Sequence, residues 1–127
     1  MDIDGVLLTT KNTKPAQHST EFIDFILDNY NCYWLTTHCH GDSKQAIKYL
    51  TPYFDRTTLN KLELVKPTIW KTLKTEAIEF ATDFFWLDDY PFTSEKNILI
   101  AHNCLHKLIT VNLNRRNELK RVIDVIK

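Results

Sequence analysis

The feature that most constrains the fold of this chain is the alternation of helical and strand-like apolar patterns along it. Four segments carry apolar side chains at the spacing of an amphipathic helix, namely residues 20–30, 44–50, 70–81 and 117–126. Three short apolar runs have the composition of buried strands, namely residues 32–35, 84–87 and 108–111. Because parallel strands need a returning helix between them, the alternation predicts an α/β fold, a three-layer α/β/α sandwich with a mostly parallel central sheet.

Capping residues set the expected helix starts. Ser19 or Thr20 can cap the first helix, and Asp42 or Ser43 can cap the second. The stretch 53–68 has no regular pattern and is expected to be irregular. A loop is expected between the last two strands.

Composition narrows the class of protein further. The 127 residues suit a single domain, 1–127, and 16 basic residues balance 16 acidic ones. A neutral chain has no overall field for nonspecific nucleic-acid binding, which disfavours a nucleic-acid partner outside a local basic patch. The two glycines, Gly5 and Gly41, are too few for the glycine-rich loops that bind nucleotides.

The location of the protein is predicted from its apolar runs and cysteines. No secretory signal opens the given sequence, and its apolar runs reach only about five residues, too short to cross a bilayer. Cys32, Cys39 and Cys104 have no CxxC spacing, which is typical of free thiols in a reducing compartment. We therefore expect a cytoplasmic protein with no membrane partner.

Polar residues follow the apolar segments at positions that a parallel sheet brings to one edge. They are Asp2, Asp4, Thr36, Thr37, Asp88 and Asp89. Ligands of open α/β sheets bind outside this carboxyl edge. Four carboxylates gathered without cations repel one another, and a hard divalent ion such as Mg²⁺, which takes oxygen ligands, removes that cost.

These polar residues belong to longer motifs. Asp2-Ile3-Asp4-Gly5-Val6-Leu7 opens the chain, Thr36 ends a strand, a lysine lies further on, and Leu87-Asp88-Asp89 ends another strand. In this order the motifs resemble those of the haloacid dehalogenase (HAD) superfamily. The resemblance implies a Rossmann-like fold and a Mg²⁺-dependent phosphatase or phosphohydrolase that works through an aspartyl-phosphate. A non-catalytic HAD-like domain that serves binding or assembly is the alternative.

The resemblance also assigns roles to individual residues. It implies that Asp2 is the nucleophile and Asp4 the general acid and base, and that Gly5 allows a sharp turn beside the phosphate. Thr36 would donate its hydroxyl to a phosphoryl oxygen. The Mg²⁺ ligands would come from Asp2, the backbone carbonyl of Asp4, Asp88 and Asp89.

The lysine of the third motif pairs with the nucleophile and the phosphoryl oxygens in the family. Lys74, at the start of the helix expected before Asp88, is the first choice for this role. Lys66, in a Lys-Pro pair, and Lys71 are the alternatives.

Two departures from the family pattern affect the expected site. Only Met1 precedes Asp2, whereas the family's first strand has four or five apolar residues there, so we expect a truncated first strand. Either the given start lies downstream of a longer strand or the strand is curtailed. Neither of the family's two cap positions has room for a cap domain, which implies an open site for a phosphorylated substrate such as a phosphoprotein or a nucleic-acid end, unless oligomerisation closes it.

Other residue clusters suggest weaker alternatives. A zinc site could be sought in His38-Cys39-His40 or, if that segment is extended, in His102, Cys104 and His106, although neither has the spacing of known zinc ligands. His38 could also reach the phosphate site. The three tryptophans, Trp34, Trp70 and Trp86, are expected in the core.

Overall fold

A computed structural model describes residues 1–127 as a mixed α/β fold with five helices and one small parallel sheet. The helices are α1 (Ser19–Asn29), α2 (Ser43–Leu50), α3 (Arg56–Leu62), α4 (Thr93–Ala101) and α5 (Glu118–Ile126). The strands are β1 (Trp86–Asp88) and β2 (Leu108–Thr110). None of the helices is long and apolar enough to cross a membrane.

Local hydrogen bonds explain where the helices begin. The carboxylate of Asp42 accepts a bond of 2.9 Å from the Lys44 N–H, which confirms one of the two expected caps of α2. The predicted cap of α1 is wrong by at least one residue, because His18 occupies that position with a left-handed φ of 64° and makes no capping bond. Helix α3 lies in the stretch expected to be irregular and is capped by Asp55.

The helix predicted at residues 70–81 is wrong. Only a single 3₁₀ turn, Lys74–Ala77, forms there. The carboxylate of Glu76 accepts hydrogen bonds from the N–H groups of Lys71, Thr72 and Leu73. These bonds fix residues 71–76 as a closed loop, so a helix does not propagate through them. Helix α4 occupies part of the expected loop before β2, and Glu95 accepts the Phe92 N–H at its start.

The regular sheet is smaller than the predicted central sheet. Strands β1 and β2 run parallel, and Leu87 pairs with Ile109. The strand predicted at residues 32–35 is present only as an isolated parallel bridge between Tyr33 and Lys66. On the side away from Lys66, this segment lies beside the short chain start, Met1 and Asp2. Few backbone groups are therefore available to pair with that edge.

The chain start lies between this segment and β1. The Leu35 N–H donates to the Met1 carbonyl at 2.7 Å, and the Asp2 N–H donates to the Leu87 carbonyl at 3.0 Å. These bonds align Met1 and Asp2 with both neighbours, so that Asp2 reaches the same edge as the end of β1.

Apolar side chains from all five helices and the chain start form the core. Val6, Leu7 and Leu8 are fully buried against Phe22 and Ile23 of α1. Trp34 and Trp86 are buried, as expected, whereas Trp70 is half-buried against a smaller cluster. The core thus fixes the segments whose ends carry the polar residues.

Candidate active site

Three carboxylates meet at the edge where β1 ends. Carboxylate oxygens of Asp2, Asp88 and Asp89 lie within 4.8 Å of one another. Asp88 is the last residue of β1 and is almost fully buried, while Asp2 and Asp89 are half-buried. The backbone bond from Asp2 to Leu87 fixes this closeness, because it sets Asp2 beside the end of the strand.

Lys74 is the cation that contacts this acidic group. Its Nζ lies 2.6 Å from an oxygen of Asp88 and 3.1 Å from an oxygen of Asp2, and its side chain is 14% exposed. The Lys74 N–H donates to the buried carboxylate of Glu95 at 2.7 Å, which anchors the lysine to the start of α4. The other two candidates lie elsewhere: Lys66 rests over the Tyr33 ring, and Lys71 is exposed.

Burial and mutual repulsion shift the proton affinities of the group. Burial raises the pKa of Asp2 above its usual range, against the opposing effect of Lys74. Burial, together with the charges of Asp2 and Asp88, raises the pKa of Asp89 to about 6. Although burial lowers the pKa of Lys74, the two carboxylates raise it above its usual value. One ammonium therefore does not neutralise the three acids.

Gly5 makes room for Asp89. Gly5 adopts a φ of +84°, and a Cβ placed on it would lie 2.1 Å from the Asp89 Cγ. A side chain at this position would be both strained and in collision. Gly5 is therefore required here by the close approach of Asp89.

The carboxylate of Asp4 lies apart from the other three, contrary to the expectation that four carboxylates gather. A turn begins at this residue, with the Val6 N–H bonded to the Ile3 carbonyl, and it directs Asp4 towards α2. The Tyr49 hydroxyl donates to one Asp4 oxygen at 2.8 Å, and His38 Nε2 lies 2.9 Å from the other.

The rings of Tyr49 and His38 stack on each other, and both side chains contact Asp4. Their rings stack at a centroid distance of 3.6 Å with an interplanar angle of 10°. Burial, and the hydrogen bond to Asp4, raise the pKa of Tyr49 to about 12, so the phenol keeps its proton. No motif in the sequence indicated Tyr49, since its position on α2 follows only from the packing of that helix.

Thr36 follows the 32–35 segment, as expected, and is fully buried. Its hydroxyl oxygen accepts a bond of 3.3 Å from the His38 N–H, and its own proton has no acceptor. The hydroxyl proton of Thr36 is therefore not used by any protein group. Thr36 and Asp4 are linked through the same residue, His38.

The donor set fits a hard divalent cation. Asp2, Asp88 and Asp89 offer only oxygen atoms, carry an excess of negative charge over Lys74, and lie close enough to share one ion. The backbone carbonyl of Asp4 accepts no hydrogen bond, so it also keeps its capacity as a ligand.

The residues considered for zinc do not converge. His38 contacts Asp4, Cys39 points to the Thr68 carbonyl, and His40 lies against Trp70. His102 stacks on Phe80, and the segment after it forms a 3₁₀ turn instead of an extended strand.

Comparisons with protein-family models, with curated proteins and with solved structures found no match to this chain.

Proposed function

We propose that this protein is a Mg²⁺-dependent phosphatase of the HAD type that forms an aspartyl-phosphate on Asp2. The observation that carries the proposal is the grouping of Asp2, Asp88 and Asp89 within 4.8 Å, with Lys74 bonded to two of them. Asp88 and Asp89 are 86 positions or more from Asp2 in the sequence, so their meeting is a property of the fold.

Asp2 is oriented for attack. One of its oxygens accepts the Ile3 N–H at 2.8 Å, and the other accepts Lys74. In the first step a carboxylate oxygen of Asp2 bonds to phosphorus while the bond from phosphorus to the leaving oxygen breaks. Lys74 lies beside the oxygens on which negative charge collects.

Asp4 acts as the general acid and base. It donates a proton to the leaving oxygen in the first step, and in the second it takes one from the water that attacks phosphorus and restores the Asp2 carboxylate. The Thr36 hydroxyl, which donates to no protein group, would bind a phosphoryl oxygen. Asp2, Asp88, Asp89 and the Asp4 carbonyl would hold Mg²⁺, which offsets the charge of the phosphoryl group and orients it for in-line attack.

The backbone bonds also support a larger sheet within this proposal. Tyr33 and Lys66 form a parallel bridge, Leu35 bonds to Met1, and Asp2 bonds to Leu87 of β1, which pairs in parallel with β2. We propose that these five segments are the strands of a mostly parallel central sheet in a three-layer sandwich, with Met1 and Asp2 in the middle.

An open site favours a large substrate. The segment between Gly5 and α1 is a loop, and only α2, α3 and one 3₁₀ turn lie between Thr36 and β1. Since no cap domain covers the acidic group, we propose a phosphorylated macromolecule or another bulky phosphate ester as substrate, bound from the solvent side.

Phosphate release from an aryl phosphate, with and without Mg²⁺, tests the proposed function. We expect hydrolysis that requires Mg²⁺ and that falls at least about 1,000-fold in Asp2→Asn, because the nucleophile is lost. Asp28→Asn, at an exposed position of α1, is the matched control and should keep the wild-type rate. Activity without metal, or activity that survives Asp2→Asn, would reject the enzyme and favour a non-catalytic binding or assembly domain.

A further inference from the structure

Glu95 is a buried acid that the proposed mechanism does not use. It lies in the first turn of α4 and is 2% exposed. Both of its hydrogen-bond donors are backbone groups: the Phe92 N–H bonds to one oxygen at 2.8 Å, and the Lys74 N–H bonds to the other at 2.7 Å. A carboxylate is costly to bury, and these two bonds offset part of that cost. Each oxygen of Glu95 therefore has a fixed partner.

The two bonds of Glu95 have different roles. A glutamate near the start of a helix commonly accepts an N–H group from the residue that precedes the helix, and one oxygen is enough for this. The bond from Phe92 is of that kind. The bond from Lys74 is not, because it crosses 21 residues and joins α4 to the segment that carries the site lysine. Capping of α4 therefore does not account for the second bond.

Packing holds α4 in place behind this bond. Leu99, one turn after Glu95 on the same face of the helix, is fully buried and packs with the buried Leu35 and Trp86. Leu35 precedes Thr36, and Trp86 begins β1, so this small cluster connects α4 with two segments that end at the site. The Glu95 carboxylate is therefore fixed relative to both segments.

The loop of residues 71–78 is attached to the rest of the protein by hydrogen bonds of Lys74 alone. The other hydrogen bonds of this loop stay within it. The Lys74 N–H donates to Glu95, and its ammonium donates to Asp2 and Asp88. Because a lysine side chain has a flexible stem, the position of its backbone determines which carboxylates the ammonium reaches.

We propose that Glu95 is a positioning residue of the candidate active site and that it acts through Lys74. Its carboxylate holds the Lys74 backbone so that the ammonium stays bonded to Asp2 and Asp88. Misplacing a group of this kind by about 1 Å can slow a reaction about 100-fold. The expected effect on hydrolysis rests on the proposed function, whereas the expected effect on the placement of Lys74 does not.

A double-mutant cycle tests whether Glu95 acts through Lys74. Glu95→Gln keeps the side-chain shape but leaves one acceptor oxygen for two N–H groups. With Mg²⁺ present, it should slow hydrolysis of an aryl phosphate about 10-fold in the wild-type background and less than about twofold in Lys74→Met. The matched control is Glu118→Gln, because Glu118 is also 2% exposed and also accepts a backbone N–H, that of Asn112, at the start of a helix. It should keep the wild-type rate.

Two further measurements do not depend on hydrolysis. In the metal-free protein, acetic anhydride should acetylate Lys74 at least about 10-fold faster in Glu95→Gln than in wild type or Glu118→Gln, as read by mass spectrometry, because the ammonium leaves its carboxylates more often. In the wild-type chain, the Lys74 amide should exchange with solvent at least about 10-fold more slowly than the Lys71 amide, whose acceptor Glu76 is exposed. The exchange measurement needs no variant to fold.

Several results would overturn the proposal. Glu95→Gln could leave the rate unchanged, or slow hydrolysis equally with and without the Lys74 ammonium, which would indicate a merely structural role. Glu118→Gln could match it in rate and in acetylation, or the Lys74 amide could exchange as fast as that of Lys71. If no aryl phosphate is hydrolysed, the proposed function fails, and unchanged acetylation of Lys74 in Glu95→Gln would then overturn this proposal as well.

Discussion

Replacing Lys74 by methionine should destabilise the metal-free protein by about 3 kcal/mol. The ammonium makes ion pairs of 2.6 Å with Asp88 and 3.1 Å with Asp2, and the Asp88 side chain is 2% exposed. At an effective dielectric constant of about 20, pairs at these distances contribute roughly 6 and 5 kcal/mol before the cost of burying the charges. Removing one partner of a buried pair typically costs about 3 to 5 kcal/mol, because the other charge is left uncompensated.

Urea unfolding at pH 7 with a chelator measures this loss. Lys61→Met is the matched control, because Lys61 pairs with Asp24 at a similar distance of 2.7 Å while both side chains are about half exposed. An exposed pair contributes at most about 1 kcal/mol. Saturating Mg²⁺ should recover at least half of the Lys74→Met loss, since the ion supplies the missing positive charge. Equal losses in the two variants, or no recovery with Mg²⁺, would refute the reasoning.

Three further predictions concern the residues around the acidic group. Because the pKa of Asp89 is raised from 3.8 to about 6 in the folded protein, its carboxylate costs stability as the pH rises from about 4 to 6 in the absence of metal, and the loss levels off above that. Asp89→Asn should therefore gain about 1 kcal/mol on wild type between pH 5 and 7 in urea unfolding; no relative gain would contradict the repulsion. Gly5→Ala should lose about 3 kcal/mol or more by the same measurement, from strain plus collision with Asp89, whereas Gly41→Ala, at a φ of +79° but with only an ordinary contact of 3.8 Å to Ile69, should lose only about 1 kcal/mol; similar losses would show that the collision is relieved. Tyr49→Phe should slow hydrolysis of an alkyl phosphate about 10-fold more than that of a dinitrophenyl phosphate, since only the poor leaving group needs a well-placed acid at Asp4; an equal effect on both would indicate a merely structural role.

Two of the three residues of the acidic group could be predicted from the apolar run before them. Asp88 and Asp89 follow residues 84–87, whose composition indicates a buried parallel strand, whereas Asp2, with only Met1 before it, could be predicted only from the resemblance of its motif to that of the family. The sequence narrowed the site lysine to Lys74, the first choice, with Lys66 and Lys71 as alternatives. The position of Lys74 depends on the bond from its N–H to Glu95, a contact across 21 residues.

The remaining features of the fold and the site depend on contacts that the spacing of apolar residues in the sequence does not reveal. The apolar spacing at residues 70–81 resembles a helix, yet Glu76 captures the N–H groups that would start one. Helix α3 was not expected because its seven residues are too few for a clear pattern. The hydrogen bond from Tyr49 to Asp4 requires α2 to pack beside the turn near Asp4. No local pattern in the sequence indicates this packing.

Trapping of the covalent intermediate tests the central claim most directly. The protein would be mixed with an aryl phosphate and Mg²⁺, quenched in acid within the first turnover and treated with borohydride, which reduces an acyl phosphate to an alcohol. Mass spectrometry should then find homoserine at position 2, and at no other aspartate. Turnover of the substrate with an unmodified Asp2 would contradict the account.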